Sequence, residues 1–191
     1  LANVDSIDYT ITIDGDTLKP NTDGIYTPTF GTYIIKASKP GYRCFRTELT
    51  IADDAEGDQN CIIEMVKAGE NGWDGTTLSE AELKDGVYQI SNGAELAWFA
   101  AKVNGGDYTI AAKLVNDIDL CGYDWTPIGG DKSKLAYQGI FEGDGHTVDG
   151  LYIHNKKTYQ ALFGYIANSR ISGITVDGEV SAKQYVAGVV A

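Results

Sequence analysis

The chain has little proline, little sulfur and no surplus of positive charge. Four prolines in 191 residues leave no material for a Pro-rich linker. Methionine occurs once, and the three cysteines, at 44, 61 and 121, are an odd number that closes no disulfide framework. Their spacings match no zinc pattern, and the two histidines, His146 and His154, stand too far apart in sequence to complete one. The plain reading is three small buried or half-buried side chains, with a Cys44–Cys61 bridge left open because both fall in neighbouring predicted strands. No apolar run approaches a membrane span, and no secretory leader is visible. The chain opens on Leu1 without Met and stops inside an apolar phrase, so both ends read as cut from a longer protein. Fifteen Lys and Arg against 27 Asp and Glu give a net charge of −12. Residues 1–67 carry 6 basic and 11 acidic residues and residues 68–191 carry 9 and 16, so the excess is spread along the chain. A uniformly acidic surface repels phosphate, which argues against nucleic acid and anionic membranes as partners.

What is present is an apolar fraction of 43%, 23 glycines, and 12 tyrosines against 5 phenylalanines. That suits a turn-rich β protein with many rings that have one wet end. Two phrases recur near the C-terminus. YQGIF at 137–141 returns as YQALF at 159–163, and DGLYI at 149–153 returns as SGITV at 172–176, offsets of 22 and 23. Each phrase is a short apolar alternation bounded by Gly, Asn or Asp, so each repeat unit is strands and turns. A unit of this size buries its apolar face only by stacking on a copy of itself, which predicts a parallel β-helix. Phe141 and Phe163, and Leu151 and Ile174, are then expected on consecutive rungs.

Residues 5–13 alternate, with Ile7, Tyr9, Ile11 and Ile13 on one face, and DGD at 14–16 reads as a hairpin turn. Further strands are expected at 24–30, where Pro28 marks an edge or a strand end, at 31–38, at 43–51 with Phe45, Leu49 and Ile51 inward, and at 61–66. The acidic stretch 52–60 reads as an exposed loop. Strands at this spacing predict a small antiparallel sandwich over residues 1–67. Residues 67–86 read as a connection, in which Trp73 is a sugar-stacking ring or, more plainly, a ring that pins the connection to one of the two domains. A strand follows at 86–91. Residues 92–106 then form the one expected helix, with Asn92 as cap, Glu95 returning the bond, Leu96, Phe99, Ala100 and Val103 on the apolar face, and Gly105-Gly106 as stop. Laid across the open end of a β-helix, such a helix would cover exposed core and strand edges. Residues 108–120 form the first coil, with Ile110, Leu114, Ile118 and Leu120 inside.

Two resemblances follow from these phrases. GTYIIKASKPGY at 31–42 resembles the end of a carboxypeptidase-regulatory-like or PEGA-like Ig-type module, which implies a spacer or stalk unit. ELAWFAAKVN (95–104), NDIDL (116–120), WTPIG (125–129), FEGDGHTVDGLYI (141–153), ALFGYI (161–166), ISGITVDGEV (171–180) and VAGVV (186–190) run in the order seen in bacterial surface proteins that carry GLUG-type repeats. That resemblance implies a large modular protein, displayed on the cell envelope, that adheres or binds more often than it catalyses.

Chemistry-bearing clusters are sparse. At the 23-residue offset Asp149 meets Ser172 and Asp177 meets His154, and at the 22-residue offset Asp144 meets Ile166, so no ladder of acids forms. Asp117 and Asp119 could share a strand face, a thin calcium hint against the plainer reading of a solvated face. His146, with Asp144 and Asp149 nearby, reads as a turn histidine bonded to backbone rather than as a general base. Tyr123, Trp125, Tyr137, Tyr152, Tyr159 and Tyr165 are the candidates for sugar recognition, with Tyr137 and Tyr159 expected as a stacked ladder.

The expectation is therefore an all-β chain: a small antiparallel Ig-like β-sandwich over 1–67, then a right-handed parallel β-helix with an N-terminal α-helical cap over 68–191. It is expected as a monomeric, non-catalytic fragment of an extracellular, cell-surface bacterial protein, used for display and adhesion, with glycans or a host or matrix protein as partner. No catalytic residue, cofactor or metal is expected, and neither nucleic-acid binding nor membrane insertion. Two rivals remain: a polysaccharide-degrading β-helix enzyme whose active coils lie beyond residue 191, and a structural stalk.

Overall fold

The structure, a computed structural model, describes residues 8–13, 16–23, 25–55, 57, 59, 61–130 and 135–191. The chain is mostly β, with one short helix among the described residues. It divides into two compact units, Leu1–Lys67 and Ala68–Ala191.

In unit 1, β1 (Asp8–Ile13), β2 (Asp16–Thr17), β3 (Gly31–Ser38) and β4 (Phe45–Ile51) form one antiparallel sheet in the order β2-β1-β3-β4. Tyr9 stands opposite Ala37 and Ile11 opposite Ile35, while Ala37 faces Phe45 and Tyr33 faces Leu49, so one side of the sheet is mostly apolar, interrupted by Thr47 opposite Ile35 and Asp16 opposite Ile13. Tyr33, Ile35, Ala37 and Ile51 are buried there. Residues 5–7 and the DGD turn at Asp14 and Gly15 lie outside the described residues, but β1 and β2 pair across that turn through Thr12 and Thr17.

Two expected strands are not strands. Residues 25–30 are irregular, with Ile25 and Phe30 exposed, because both edges of β3 are already taken by β1 and β4 and Pro28 offers no N–H for a ladder. The Asn21 side chain instead accepts the N–H groups of Asp23 and Ile25. Residues 61–66 keep an alternating exposure but join the sheet region only at their end, where Lys67 bridges Tyr42 and the Arg43 N–H donates to the Val66 carbonyl.

Unit 2 opens with a hairpin that replaces part of the expected connection. β5 (Glu82–Lys84) and β6 (Val87–Ile90) are joined by Asp85-Gly86, at φ of 51° and 82°. Positive φ at both central residues is the two-residue turn whose twist suits a hairpin, and Asp-Gly is a natural choice for it. The helix α1 (Gly93–Asn104) follows. Asn92 caps it by accepting the Glu95 N–H, while Glu95 returns its bond one residue earlier than expected, to the Ser91 N–H and hydroxyl. Leu96, Phe99, Ala100 and Val103 are buried as the periodicity requires. The Phe99 ring meets Tyr88, Tyr137 and Phe141. Asn104 fastens the other end: its amide donates to the Pro127 carbonyl and its oxygen accepts the Gly129 N–H.

The remaining strands are β7 (Ala111–Leu114), β8 (Ile118–Asp119), β9 (Ile140–Glu142), β10 (Thr147–His154), β11 (Thr158–Gln160), β12 (Arg170–Ser172), β13 (Thr175–Ser181) and β14 (Gln184–Val186). They pair in parallel as β12-β9-β7-β6, β13-β10-β8 and β11-β14, with β5 added antiparallel beyond β6. Inward positions sit over one another: Ile118, Val148 and Val176 form one column, and Ala112, Phe141 and Ile171 another. Among the expected first-coil residues Leu114, Ile118 and Leu120 are fully buried, whereas Ile110 is half-buried and Ala112 takes the inner position.

The rung spacing differs from the 22 and 23 residues that the repeated phrases suggest. Val87 pairs with Ala111 (24 residues), Val148 with Val176 (28) and Phe141 with Ile171 (30). Phe163 bridges Ile128 and Val190 instead, in a separate ladder from Phe141. Their rings do touch, at 5.0 Å between centroids, as neighbours across the interior rather than as consecutive rungs. Likewise Leu151 pairs with Gly178, not Ile174. The likeness of the phrases reflects a shared demand for alternating apolar residues, while the lengths of the corners set the register. Some corners admit no side chain: a Cβ on Gly139 would collide with the Ile110 carbonyl oxygen and the Tyr137 ring.

Candidate functional site

The expected recognition rings fall into two groups. Trp73, Tyr123 and Trp125 are buried against one another, with Trp73 edge-on to both partners. The Trp73 indole donates to the Thr77 carbonyl at 2.8 Å and the Trp125 indole to the Leu162 carbonyl at 3.2 Å. Trp73 thus pins the start of unit 2 to its own rungs. Tyr137 is fully buried, its hydroxyl donates to the Ile110 carbonyl, and burial pushes its pKa well above the ordinary tyrosine value. All four rings serve the packing of unit 2. Tyr152 is half-buried and stacks on His154.

Tyr159 and Tyr165 behave differently. Tyr159 lies flat on Tyr185, with centroids 4.6 Å apart and planes 4° from parallel, and Tyr165 meets Tyr159 edge-on at 5.1 Å. Thr158 pairs with Gln184, so Tyr159 and Tyr185 hold the same place on consecutive rungs. The ladder expected between Tyr137 and Tyr159 is therefore a ladder of Tyr159 and Tyr185. The sequence offset of 22 hid it; the phrases Lys157-Thr-Tyr159 and Lys183-Gln-Tyr185, 26 residues apart, were the available signal. Tyr185 is 58% exposed. Both residues sit in the left-handed region, at φ of 56° and 54°. A bulky side chain there costs on the order of 1 kcal/mol, and Gly or Asn would cost less. Partial burial, with the neighbouring phenols Tyr185 and Tyr165, raises the pKa of Tyr159.

The acidic candidates also regroup. His146 finds its carboxylate in neither Asp144 nor Asp149. Its Nδ1 lies 3.1 Å from Asp117 Oδ1, on the preceding rung, and the same oxygen accepts the Thr147 N–H. The Thr147 amide first, and His146 second, hold the Asp117 carboxyl below its usual pKa. Asp119 stands in register with Asp149, and the column continues at the irregularity where Asp149 and Gly150 oppose Asp177. A ladder of acids thus exists at the true offset, where the shorter one predicted none. Asp119 turns one oxygen back to the Cys121 N–H. Among the described residues no group of three His, Cys, Asp or Glu is arranged to hold a metal ion. Cys44, Cys61 and Cys121 form no disulfide.

A shallow cleft of about 250 Å³ lies beside Trp73, lined by Glu70, Asn71, Asp74, Thr77 and Asn92. Burial pushes the Asp74 carboxyl up, but bonds from Thr77 and Thr76 outweigh it and hold the pKa below normal. Those bonds occupy both of its oxygens in a local turn.

No protein-family model, curated protein or solved structure matches the chain. The sites above therefore stand on their geometry alone. No helix among the described residues is long and apolar enough to cross a membrane.

Proposed function

We propose that this chain is a non-catalytic segment of a bacterial cell-surface protein, used for display and adhesion, and that it binds carbohydrate at the Tyr159–Tyr165–Tyr185 cluster. The fold reading behind it has two parts. Unit 2 is a parallel β-helix, right-handed because parallel crossovers almost always are, and α1 covers its first rung. Unit 1 is an Ig-like sandwich module of the carboxypeptidase-regulatory-like or PEGA-like kind. The parallel columns through β8, β10 and β13 and through β7, β9 and β12 support the first part, and the antiparallel apolar sheet supports the second.

The observation that carries the function is the pair of tyrosines held at positive φ on consecutive rungs, one of them 58% exposed. Side chains kept where smaller residues would be cheaper point to use, and an exposed tyrosine has an apolar face for a sugar ring and a hydroxyl for its alcohols. Calorimetric titration against a panel of oligosaccharides tests this. At least one glycan is expected to bind saturably without turnover, and Tyr185→Ala is expected to weaken it about tenfold. No saturable binding across the panel, or binding indifferent to Tyr185→Ala, would sink the proposal.

An enzymatic reading that places the chemistry within this chain, unlike the rival with active coils beyond residue 191, has one observation in its favour, the carboxylate-held imidazole of His146. It predicts slow cleavage of a polysaccharide that His146→Ala abolishes.

A further inference from the structure

The acidic excess of the chain has a gap, and the tyrosine ladder lies in it. Residues 150–176 contain no Asp or Glu, and neither do residues 180–191. The same stretches carry Lys156, Lys157, Arg170 and Lys183. Arg170 is paired with Glu142 at 2.6 Å. The three lysines are exposed and make no ion pair among the described residues.

The rungs bring two of these lysines together. The Lys183 N–H donates to the Lys157 carbonyl at 3.0 Å, one residue before the Thr158–Gln184 pair. Lys157 and Lys183 are thus stacked on consecutive rungs as Tyr159 and Tyr185 are. Each lysine precedes its tyrosine by two residues, about 7 Å of extended chain. The Lys157 and Lys183 positions therefore form one column along the sheet and the Tyr159 and Tyr185 positions another beside it.

From this juxtaposition we infer that the ligand of the tyrosine site is an anionic glycan, one whose sugar ring packs on Tyr185 while its carboxylate or sulfate is held by Lys157 and Lys183. The inference rests on the carbohydrate reading above and adds the charge of the ligand. An ammonium is a compact donor of charge-assisted hydrogen bonds, which suits either group. A long polyanion would leave the patch and run onto acidic surface, which disfavours nucleic acid.

The test is titration of the whole chain with matched tetrasaccharides, one neutral, one carrying uronates and one carrying O-sulfates, together with decathymidylate. One or both charged sugars are expected to bind more tightly than the neutral one, and which of them does so separates carboxylate from sulfate. That binding should fall as salt rises from about 50 to about 500 mM. Lys183→Gln and Lys157→Gln should each weaken it about three- to tenfold while leaving the neutral sugar unaffected. Both lysines are exposed, so thermal unfolding should match the parent chain and separate a binding loss from a folding loss. Equal binding of all three sugars, insensitive to salt and to both lysine variants, overturns the inference and leaves the carbohydrate reading standing. No binding of any sugar overturns both. Decathymidylate bound as tightly as the charged sugars overturns the inference in favour of a nucleic-acid site.

Discussion

Unit 1 is wholly antiparallel and two of its three strand pairings join sequence neighbours, whereas in unit 2 every strand pairing but the β5–β6 hairpin is parallel and joins distant segments. In unit 1 the β1–β2 pairing joins Thr12 to Thr17 and the β3–β4 pairing joins Ala37 to Phe45, while β1–β3 alone spans a longer stretch, from Asp8 with Ser38 to Thr12 with Ile34. In unit 2 the partners in parallel strand pairs are separated by 24 to 30 residues, as Val87 is from Ala111 and Phe141 from Ile171. Distant pairing costs more loop-closure entropy and must be repaid by deeper burial. It is: Phe99, Tyr137, Phe141 and Phe163 are all fully buried in unit 2, whereas among the described residues of unit 1 apolar burial is confined to Tyr33, Ile35, Ala37 and Ile51 along one sheet face. Side-chain volume in the interior should therefore matter more in unit 2 than in unit 1.

Phe141→Ala should give the largest effect, about 3–5 kcal/mol, because it empties a site between Phe99 and Phe163. Hydrogen exchange read strand by strand should show the loss in β7, β9 and β12 and none in β3; equal loss in both units would erase the contrast. Ile35→Ala should cost about 2–3 kcal/mol, confined to β1, β3 and β4, while Ile62→Ala, at 79% exposed, should stay within about 0.5 kcal/mol. Asn92→Ala should cost unit 2 about 1 kcal/mol by uncapping α1, measured as a shift in denaturation midpoint. The smallest effect is acid sensitivity. The Asp117 carboxyl has its pKa lowered in the folded chain, so its contribution is complete above the unfolded value near 4 and disappears as pH falls through the folded value. Stability measured from pH 6 down to 2 should therefore drop less steeply in Asp117→Asn than in the parent chain, and identical slopes would show that the clasp to Thr147 and His146 adds nothing.

Local signals in the sequence were read well. The helix was legible because Asn92, the 3–4 spacing of Leu96, Phe99, Ala100 and Val103, and Gly105-Gly106 all point one way. The strands at 31–38 and 45–51 were legible from alternation. Non-local signals were not. Asp85-Gly86 carried a hairpin signal, but it sat at the edge of a Gly- and Asp-rich stretch that reads as a connection. The rung register was misread because YQGIF and YQALF are alike, although corner lengths, not phrases, decide which residues stack. The same likeness masks both the acidic column of Asp119 and Asp149 and the stacking of Tyr185 on Tyr159. The pairing of His146 with Asp117, across 29 residues, was out of reach for the same reason.

The hairpin and the helix give unit 2 an order of assembly. β5 and β6 are linked by two residues, and α1 starts three residues after β6 ends, so this end gathers from contacts close along the chain. Each later strand needs a finished edge to lie against: β7 needs β6, β9 needs β7 and β12 needs β9. The pairing order outward from the helix is thus the order in which a ribosome releases the polypeptide.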